Sequence, residues 1–294
     1  MININHMTNE DMIKALSWAK EEGWNPGKYD SDAYLSADPK GCFILKKDKL
    51  AIGSITAINY SSEFSFIGLF IIDPDFRNQG YGKMLWEHAT NYLKNCKSIG
   101  LYAVSEMVPR YKLSGFNVSF KNLRWSGFIK SEKKTHEKII TSANLITDNT
   151  KDYIEKIAAY ENSIFKVNRK NYLNNLIKLP GTHAILSLNN NSEEKEINGF
   201  IIIRPCVNKS YRIGPLYANS NEIAQKLVNE AINKIGTNQT IFMDSPESNE
   251  FTKKIASNLG LKHIDNNDTI AMYKGIIPEI NNNNVYAVSS LELC

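Results

Sequence analysis

The chain has 294 residues, enough for one large domain or two domains of ordinary size. Hydrophobic residues make up 42% and charged residues 22% of it, as in soluble globular proteins, which excludes a disordered or fibrous chain. The 35 basic and 31 acidic side chains give a formal net charge of +4. This excess is too small to indicate a nucleic-acid or membrane partner, since both favour clustered lysine and arginine.

Targeting and metal signals are absent from the sequence. Even the apolar run at residues 64–72 is too short to span a membrane and is followed by Asp73-Pro74. Residues 1–10 have neither the basic region nor the apolar core of a signal peptide. The four cysteines form no Cys-x-x-Cys pair and the five histidines show no ligand spacing. We therefore expect a cytoplasmic protein with reduced thiols and no metal ion.

The first half of the chain alternates helical and strand patterns. Thr8 and Asp11 resemble a capping box at the start of a helix. The run at residues 23–27, which contains glycine and proline, predicts a loop after it. A second helix is predicted from about Gly80 to the region of Leu93. Strands are predicted at residues 42–45, 52–58, 64–72, 99–104, 116–120 and 123–129, with a short helix around 109–112.

The charged run at residues 130–137 (KSEKKTHE) predicts a domain boundary. We place a first domain at residues 1–140, a second at 144–280 and a tail at 281–294. The second domain repeats the order of the first: strands, a helix, a strand, a helix and two closing strands. Its predicted strands are 183–188, 199–203, 211–216, 240–243, 261–264 and 269–273; its predicted helices are 152–164, 169–179, 222–235 and 249–259. This order indicates a duplicated α+β domain.

The most informative stretch is residues 77–82, Arg-Asn-Gln-Gly-Tyr-Gly, between a buried strand and an amphipathic helix. Glycines at 80 and 82 let the backbone approach a ligand closely, and a helix N-terminus offers unpaired N–H groups and a positive dipole end. A pyrophosphate can bind such a loop without a metal. The pattern also occurs in ordinary strand–loop–helix turns, so it needs further context.

A second motif supplies that context at residues 111–116, Tyr-Lys-Leu-Ser-Gly-Phe. Over about residues 43–129 the chain resembles the GNAT superfamily of N-acetyltransferases. The resemblance implies a mixed α/β (α+β) fold with two tandem domains, each a mostly antiparallel sheet splayed at its centre and flanked by helices. It also implies acetyl-CoA as the acyl donor. Stretches at 24–27, 213–217 and 272–275 more narrowly resemble tandem YitH-like members, in which a catalytic domain precedes a degenerate one.

The resemblance also implies roles for individual residues. The pyrophosphate loop would comprise Arg77, Asn78, Gln79, Gly80, Tyr81 and Gly82. The backbone of Ile72 would bond the pantetheine arm, and Tyr111 would be the general acid for the departing thiolate. Many relatives carry glycine where this chain has Asn78, which is tolerable unless the position needs a positive φ. A tyrosine at position 111 could instead simply cover the domain edge.

The sequence determines less about the general base and about the pocket that binds the amine substrate. Glu106, at the end of a predicted strand, is the leading candidate for the base, although most glutamates are solvated surface charges. Asp30 and Glu63 are further candidates. Trp24 and Asp30 would lie where acceptor specificity is set in the superfamily. Asp30 could attract a cationic amine, or it could cap the following turn.

The second domain lacks the motifs of the first. No Arg-x-x-Gly-x-Gly follows Gly214, and Ala256 replaces the tyrosine, so we predict that this copy does not catalyse. We expect acetyl transfer from acetyl-CoA to a primary amine of a small molecule or amino acid, by direct attack in a ternary complex. The alternatives are a peptide or protein N-acetyltransferase and a non-catalytic CoA-binding sensor or interaction module. No nucleic-acid, membrane or obligate protein partner is expected.

Overall fold

The computed structural model describes residues 1–130, 145–146, 150–189 and 196–294. The helices of this part are α1 (Asn9–Glu21), α2 (Asp30–Ala37), α3 (Tyr81–Tyr92), α4 (Val108–Leu113), α5 (Ile154–Phe165), α6 (Lys170–Leu176), α7 (Asn221–Ile235) and α8 (Glu250–Leu259). The strands are β1 (Ile2–His6), β2 (Cys42–Lys47), β3 (Leu50–Asn59), β4 (Ser65–Ile72), β5 (Ser98–Val104), β6 (Asn117–Ile129), β7 (Leu145–Ile146), β8 (His183–Leu188), β9 (Ile197–Pro205), β10 (Tyr211–Ala218), β11 (Gln239–Pro246), β12 (Lys262–His263), β13 (Thr269–Gly275) and β14 (Val285–Ala287). The predicted boundary at residues 140–144 lies outside the described residues.

The first helix begins where the sequence indicates. The Thr8 hydroxyl accepts the N–H of Asp11 at 3.2 Å, and the Asp11 carboxylate accepts the N–H of Thr8 at 3.1 Å, which confirms the capping box. Lys46 of β2 pairs with the same carboxylate at 2.8 Å. The cap therefore fixes both the start of α1 and its position against the first hairpin.

The strands form one continuous sheet in the order β1-β2-β3-β4-β5-β13-β6-β11-β10-β9-β8-β7, with β12 beside β6 and β14 beside β10. The sheet is mostly antiparallel. Its parallel pairs are β4 with β5 in the first half and β10 with β11 in the second. The mixed, mostly antiparallel fold with two related halves is thus confirmed. Each half contains one parallel pair, and both pairs separate after a few residues.

The two halves exchange strands at their junction. β13, from the second half, lies between β5 and β6 of the first half. β6 is one strand of 13 residues: its first part pairs with β13 and its second part pairs with β11. The prediction of two separate strands at 116–120 and 123–129 was therefore wrong, because long-range pairing on both sides keeps the chain extended through the intervening polar residues.

Residues after β13 are part of the core rather than a surface tail. β14 pairs with β10, and residues 285–290 and 292–294 are buried. Helices α1, α2, α5 and α6 pack with this segment in one apolar cluster that joins the two halves. A second cluster lies under α3 in the first half and a third under α7 and α8 in the second. The predicted tail at 281–294 thus contributes to the contact between the halves.

Buried ion pairs also join the halves. Asp244 of β11 accepts hydrogen bonds from Arg124 of β6 at 2.7 and 3.1 Å and pairs with Arg212 of β10 at 3.0 Å. Burial alone would raise the pKa of Asp244, but the two guanidinium groups outweigh it and hold the pKa below its usual value. Asp244 is therefore ionised, and it supplies the negative charge that compensates these two buried arginines.

No helix within the described ranges is both long enough and apolar enough to cross a membrane.

We expect Asp244→Ala to lower the free energy of unfolding by about 3–5 kcal/mol, because two buried guanidinium groups lose their counter-charge. Urea denaturation followed by circular dichroism measures this. Glu87→Ala is the matched control, since Glu87 and its partner Lys83 are both exposed on α3 and this substitution should change stability little. Equal effects of the two substitutions would contradict the structural role of Asp244.

Candidate active site

Strands β4 and β5 separate in the middle of the first half. They pair from Ser65 opposite Ile99 to Ile67 opposite Leu101, and then diverge. At the point of divergence β4 is bulged against β3, and Leu69 adopts a φ of +44°. A left-handed leucine costs about 1–2 kcal/mol, so the surrounding structure must hold it. The Ser54 hydroxyl does so by donating to the carbonyl of Leu69 at 2.8 Å.

The bulge leaves backbone groups of β4 without a strand neighbour on the β5 side. Among the described residues no strand pairs with β4 there beyond Ile67. Buried backbone N–H and C=O groups need partners, so this gap suits an extended ligand that bonds the backbone. The sequence indicated that the strands separate near Ile72, whereas in the structure they separate just after Ile67. A glycine inside a strand, here Gly68, is the signal that could have located it.

The predicted pyrophosphate loop links β4 to α3. A short turn at Pro74–Phe76 is followed by exposed residues 77–80, and Gly80 precedes α3 with a φ of +84°. Asn78 has a φ of +61°, so this position does use the left-handed region. Asparagine tolerates that region better than most residues, which explains how it can stand in the place of glycine.

The space around this loop is open. A Cβ added at Gly80 would meet no atom within 4 Å, and one added at Gly82 would meet only side-chain carbons at 3.6 Å. The backbone N–H groups at the start of α3, including those of Tyr81 and Gly82, have no helical partner. Arg77 and the exposed Lys83 lie beside these groups, in exposed ion pairs with Glu22 and Glu87 that an anion could replace. These residues fit a diphosphate group.

Arg77 connects the loop to its surroundings. Its Nε donates to the carbonyl oxygen of Ile72 at 2.9 Å, and its Nη2 donates to the carboxylate of Glu22, just beyond α1. The side chain is partly exposed. An anion at the loop would compete with Glu22 for the guanidinium. Exposed ion pairs of this kind are weak, so the exchange costs little.

Tyr111 lies on α4 against two other aromatic side chains. Its ring centroid is 5.3 Å from that of Trp86 and 6.2 Å from that of Phe116. Burial raises the pKa of the Tyr111 phenol to about 12, with Arg110 acting in the opposite direction. The phenol is therefore protonated at neutral pH and can act as a proton donor.

The other predicted site residues lie in different surroundings. Glu106 is in an exposed turn, Ser105–Met107, at the end of β5. Trp24 is half-buried in the contact between the halves, where its carbonyl accepts from Arg124 at 3.3 Å. Gln79 donates from its side chain to the carbonyl of Asp75 at 3.2 Å and helps to close the loop.

Asp30 is fully buried, and both of its carboxylate oxygens are engaged. Arg204 of β9 donates to them at 3.0 and 3.2 Å, and the N–H of Gly27 donates at 3.0 Å. An amine could reach this carboxylate only by displacing a buried guanidinium, which is energetically unfavourable. In this structure Asp30 joins the halves and closes the preceding loop.

The second half has a similar divergence that is already filled. β10 and β11 pair up to Ile213 opposite Met243, and then separate. β14 lies against β10 beyond that point, and the N–H of Val288 donates to the carbonyl of Asp244 on β11 at 2.8 Å. The chain itself thus fills the divergence of the second half, whereas no described strand fills that of the first.

Sequence reasoning missed the segment that reaches the first divergence from the far end of the chain. The main-chain oxygen of Glu292 lies against Gly68, and the Cys294 thiol is 3.6 Å from the hydroxyl of Tyr102 on β5. No local pattern marks these residues, because their neighbours are more than 190 positions away. Only the apolar character of residues 285–288 separated this segment from the asparagine run before it.

Among the residues described, no group of three or more His, Cys, Asp or Glu side chains is arranged to hold a metal ion.

Comparisons with known proteins agree with this geometry. Residues 9–116 match the acetyltransferase (GNAT) family, and residues 157–287 match an acetyltransferase (GNAT) domain. The holothin acyltransferase of Pseudoalteromonas sp. (strain SANK 73390) is 25% identical over 276 residues, covering 94% of this chain and 89% of that protein. An uncharacterized protein of Caenorhabditis elegans, F36G3.2, is 22% identical over 210 residues, covering 69% and 66% of the two chains.

Solved structures share the fold across both halves. A Pyrococcus horikoshii protein, named only provisionally as an acetyltransferase, superposes with a TM-score of 0.80 at 16% identity and covers 100% of this chain and 96% of its own. A tandem GNAT protein from the clavulanic acid biosynthesis pathway gives a TM-score of 0.62 at 11% identity, with coverages of 93% and 98%. The chain is therefore an enzyme of the GNAT superfamily of N-acetyltransferases and carries two GNAT domains in tandem.

Proposed function

We propose that this enzyme transfers an acetyl group from acetyl-CoA to a primary amine, and that only its first half holds the coenzyme. The observation that carries the proposal is the contrast between the two strand divergences. At the first, no described strand pairs with β4 on the β5 side beyond Ile67, and an open glycine loop lies nearby, whereas β14 occupies the second. Acetyl-CoA, when bound, supplies an acetyl group activated as a thioester.

Each element of the first half has a role in this proposal. The N–H groups at Gly80–Gly82 and the side chain of Arg77 bind the diphosphate, and the edge of β4 that faces β5, down to Ile72, binds the pantetheine arm. The divergence holds the acyl group and the amine together in a ternary complex, which lowers the entropic part of the barrier. Tyr111 donates its phenol proton to the departing sulfur.

The second half is proposed to complete the acceptor pocket rather than to catalyse. Its loop after β10 lacks the Arg-x-x-Gly-x-Gly pattern, and its divergence is closed. It also covers the face of the first sheet on which α1 and α2 pack. Such an enclosed face favours a small molecule or amino acid over a peptide, which would need an open groove. A cytoplasmic location, expected from the sequence, is part of the same proposal.

The acceptor can be sought with a short screen. The name of one relative gives holothin as the compound that it acylates, so holothin is the first acceptor to offer, followed by simple primary amines and peptides with free N-termini. Thiol release from acetyl-CoA reports turnover. Turnover with peptides alone would favour the peptide N-acetyltransferase, and coenzyme binding without any turnover would favour the sensor.

The coenzyme loop is tested by combining Arg77→Glu with Gly80→Asp. We expect acetyl-CoA affinity, measured by calorimetry, to fall at least about 100-fold, because the phosphates would meet two new negative charges in place of one positive charge. Lys94→Glu, an exposed charge reversal beyond the far end of α3, should leave the affinity unchanged. Unchanged binding in the double variant would refute this site for the phosphates.

The role of Tyr111 is tested by Tyr111→Phe. We expect turnover to fall about 10- to 100-fold with little change in acetyl-CoA affinity, because the ring packing is kept and only the transferable proton is lost. Tyr211→Phe is the matched control, since this half-buried tyrosine begins β10 of the second half, outside the proposed coenzyme site. Full activity of Tyr111→Phe would show that another residue is the general acid.

A further inference from the structure

Residues 288–294 form a single segment that touches both strand divergences. At the second divergence, a Cβ added to Gly214 would lie 2.5 Å from the main-chain oxygen of Val288. At the first, a Cβ added to Gly68 would lie 1.8 Å from the main-chain oxygen of Glu292. Both positions must therefore be glycine, because the same segment leaves no room for a Cβ at either. Its path carries Glu292 to the point where β4 and β5 separate.

Several hydrogen bonds fix this segment at the first divergence. Tyr60 donates to the main-chain oxygen of Leu293 at 2.7 Å, and Arg169 donates to that of Cys294. The Ser290 hydroxyl accepts from the N–H groups of Glu292 and Leu293 at 3.3 and 3.0 Å. Residue 292 is thus held by its neighbours on both sides.

The side chain of Glu292 differs from the other buried carboxylates. It is 1% exposed, and the Tyr34 hydroxyl of α2 donates to its Oε2 at 2.8 Å. Its Oε1 is buried and has no hydrogen-bond partner anywhere in the described part of the chain. Burying an acceptor without a partner costs about 1–3 kcal/mol, and more for a charged group.

Other buried carboxylates in this contact between the halves are each matched by an arginine. Asp30 pairs with Arg204, Glu161 with Arg169, and Asp244 with both Arg124 and Arg212. Glu292 forms no ion pair with any residue in the ranges that the structure describes. Arg212 is close enough to interact electrostatically with Glu292, but its guanidinium pairs with Asp244, so Oε1 of Glu292 is left without a hydrogen-bond donor.

The surroundings of Glu292 contain a further unpaired polar atom. Thr56 of β3 lies directly opposite Gly68 in the sheet, and its hydroxyl is buried without a hydrogen-bond partner in the described structure. An unmatched buried polar atom needs an explanation, and a ligand that supplies the missing hydrogen-bond partner is one. Oε1 of Glu292 and the Thr56 hydroxyl lie on the face that the second half covers, and both can accept a hydrogen bond from an amine.

We propose that Glu292, rather than the exposed Glu106, is the catalytic proton acceptor for the attacking amine; this rests on the proposed function. In the step, the amine nitrogen forms a bond to the acetyl carbon and the bond from that carbon to sulfur breaks. The electron pair leaves with sulfur, which takes the Tyr111 proton. The nitrogen gives its proton to Oε1 of Glu292, and solvent returns one proton from Glu292 to Tyr111. Tyr34 is a positioning residue that holds the carboxylate.

The test is Glu292→Gln in the full chain, with holothin and simple primary amines as acceptors. The amide keeps the size of the side chain and an oxygen for Tyr34. We expect kcat/KM for the amine to fall about 100- to 10,000-fold, while acetyl-CoA affinity by calorimetry stays within about twofold. Glu250→Gln, an exposed control on α8, should change neither quantity. Hydroxylamine, already neutral near pH 7, should show a smaller deficit than the basic amines.

The outcomes separate this inference from the proposed function. Full activity of Glu292→Gln, or a comparable loss in Glu106→Gln alone, would overturn the role of Glu292 and leave the proposed function standing. A wild-type chain that turns over no amine would overturn both. If Glu292→Gln does not fold by circular dichroism, Tyr34→Phe replaces it: a lower kcat at unchanged acetyl-CoA affinity supports the proposal, and an unchanged kcat contradicts it.

Discussion

Where two parallel strands of a buried sheet separate, their backbone N–H and C=O groups still need hydrogen-bond partners, and this requirement organises the whole molecule. The enzyme meets it in two ways. In the second half its own strand β14 enters the gap between β10 and β11. In the first half no strand of the described residues enters the gap between β4 and β5, where Leu69 has a left-handed backbone. The two copies of one fold thus differ in whether a described strand occupies the divergence.

The same chain segment contacts both strand divergences. After filling the second gap, it continues through residues 288–291 to the first gap, where Glu292 and Cys294 meet β4 and β5. Buried ion pairs keep the halves in the register that this path requires, because each arginine is matched by a carboxylate on a neighbouring element. The second half therefore contacts the divergence of the first half through a chain segment that both halves hold in place.

Sequence patterns predicted the parts that depend on neighbouring residues. The capping box of α1, the glycine loop before α3 and the short helix carrying Tyr111 all have local signals, and all lie where expected. Strand β1 was missed, because a strand with only Ile2 and Ile4 as apolar residues has almost no pattern. The continuous β6, the exchange of β13 and the pairing of Asp30 with Arg204 depend on partners far along the chain, which no local pattern reveals.

The exchange of β6 and β13 has a consequence for how such a chain can change over generations. Once each copy completes the sheet of the other, neither can be deleted or replaced without exposing unpaired strand edges in the survivor. A duplicate that has lost its phosphate loop would then be retained for its structural contribution, free to accumulate substitutions elsewhere. Its surface toward the first copy can then change more freely than the strands that the two copies share.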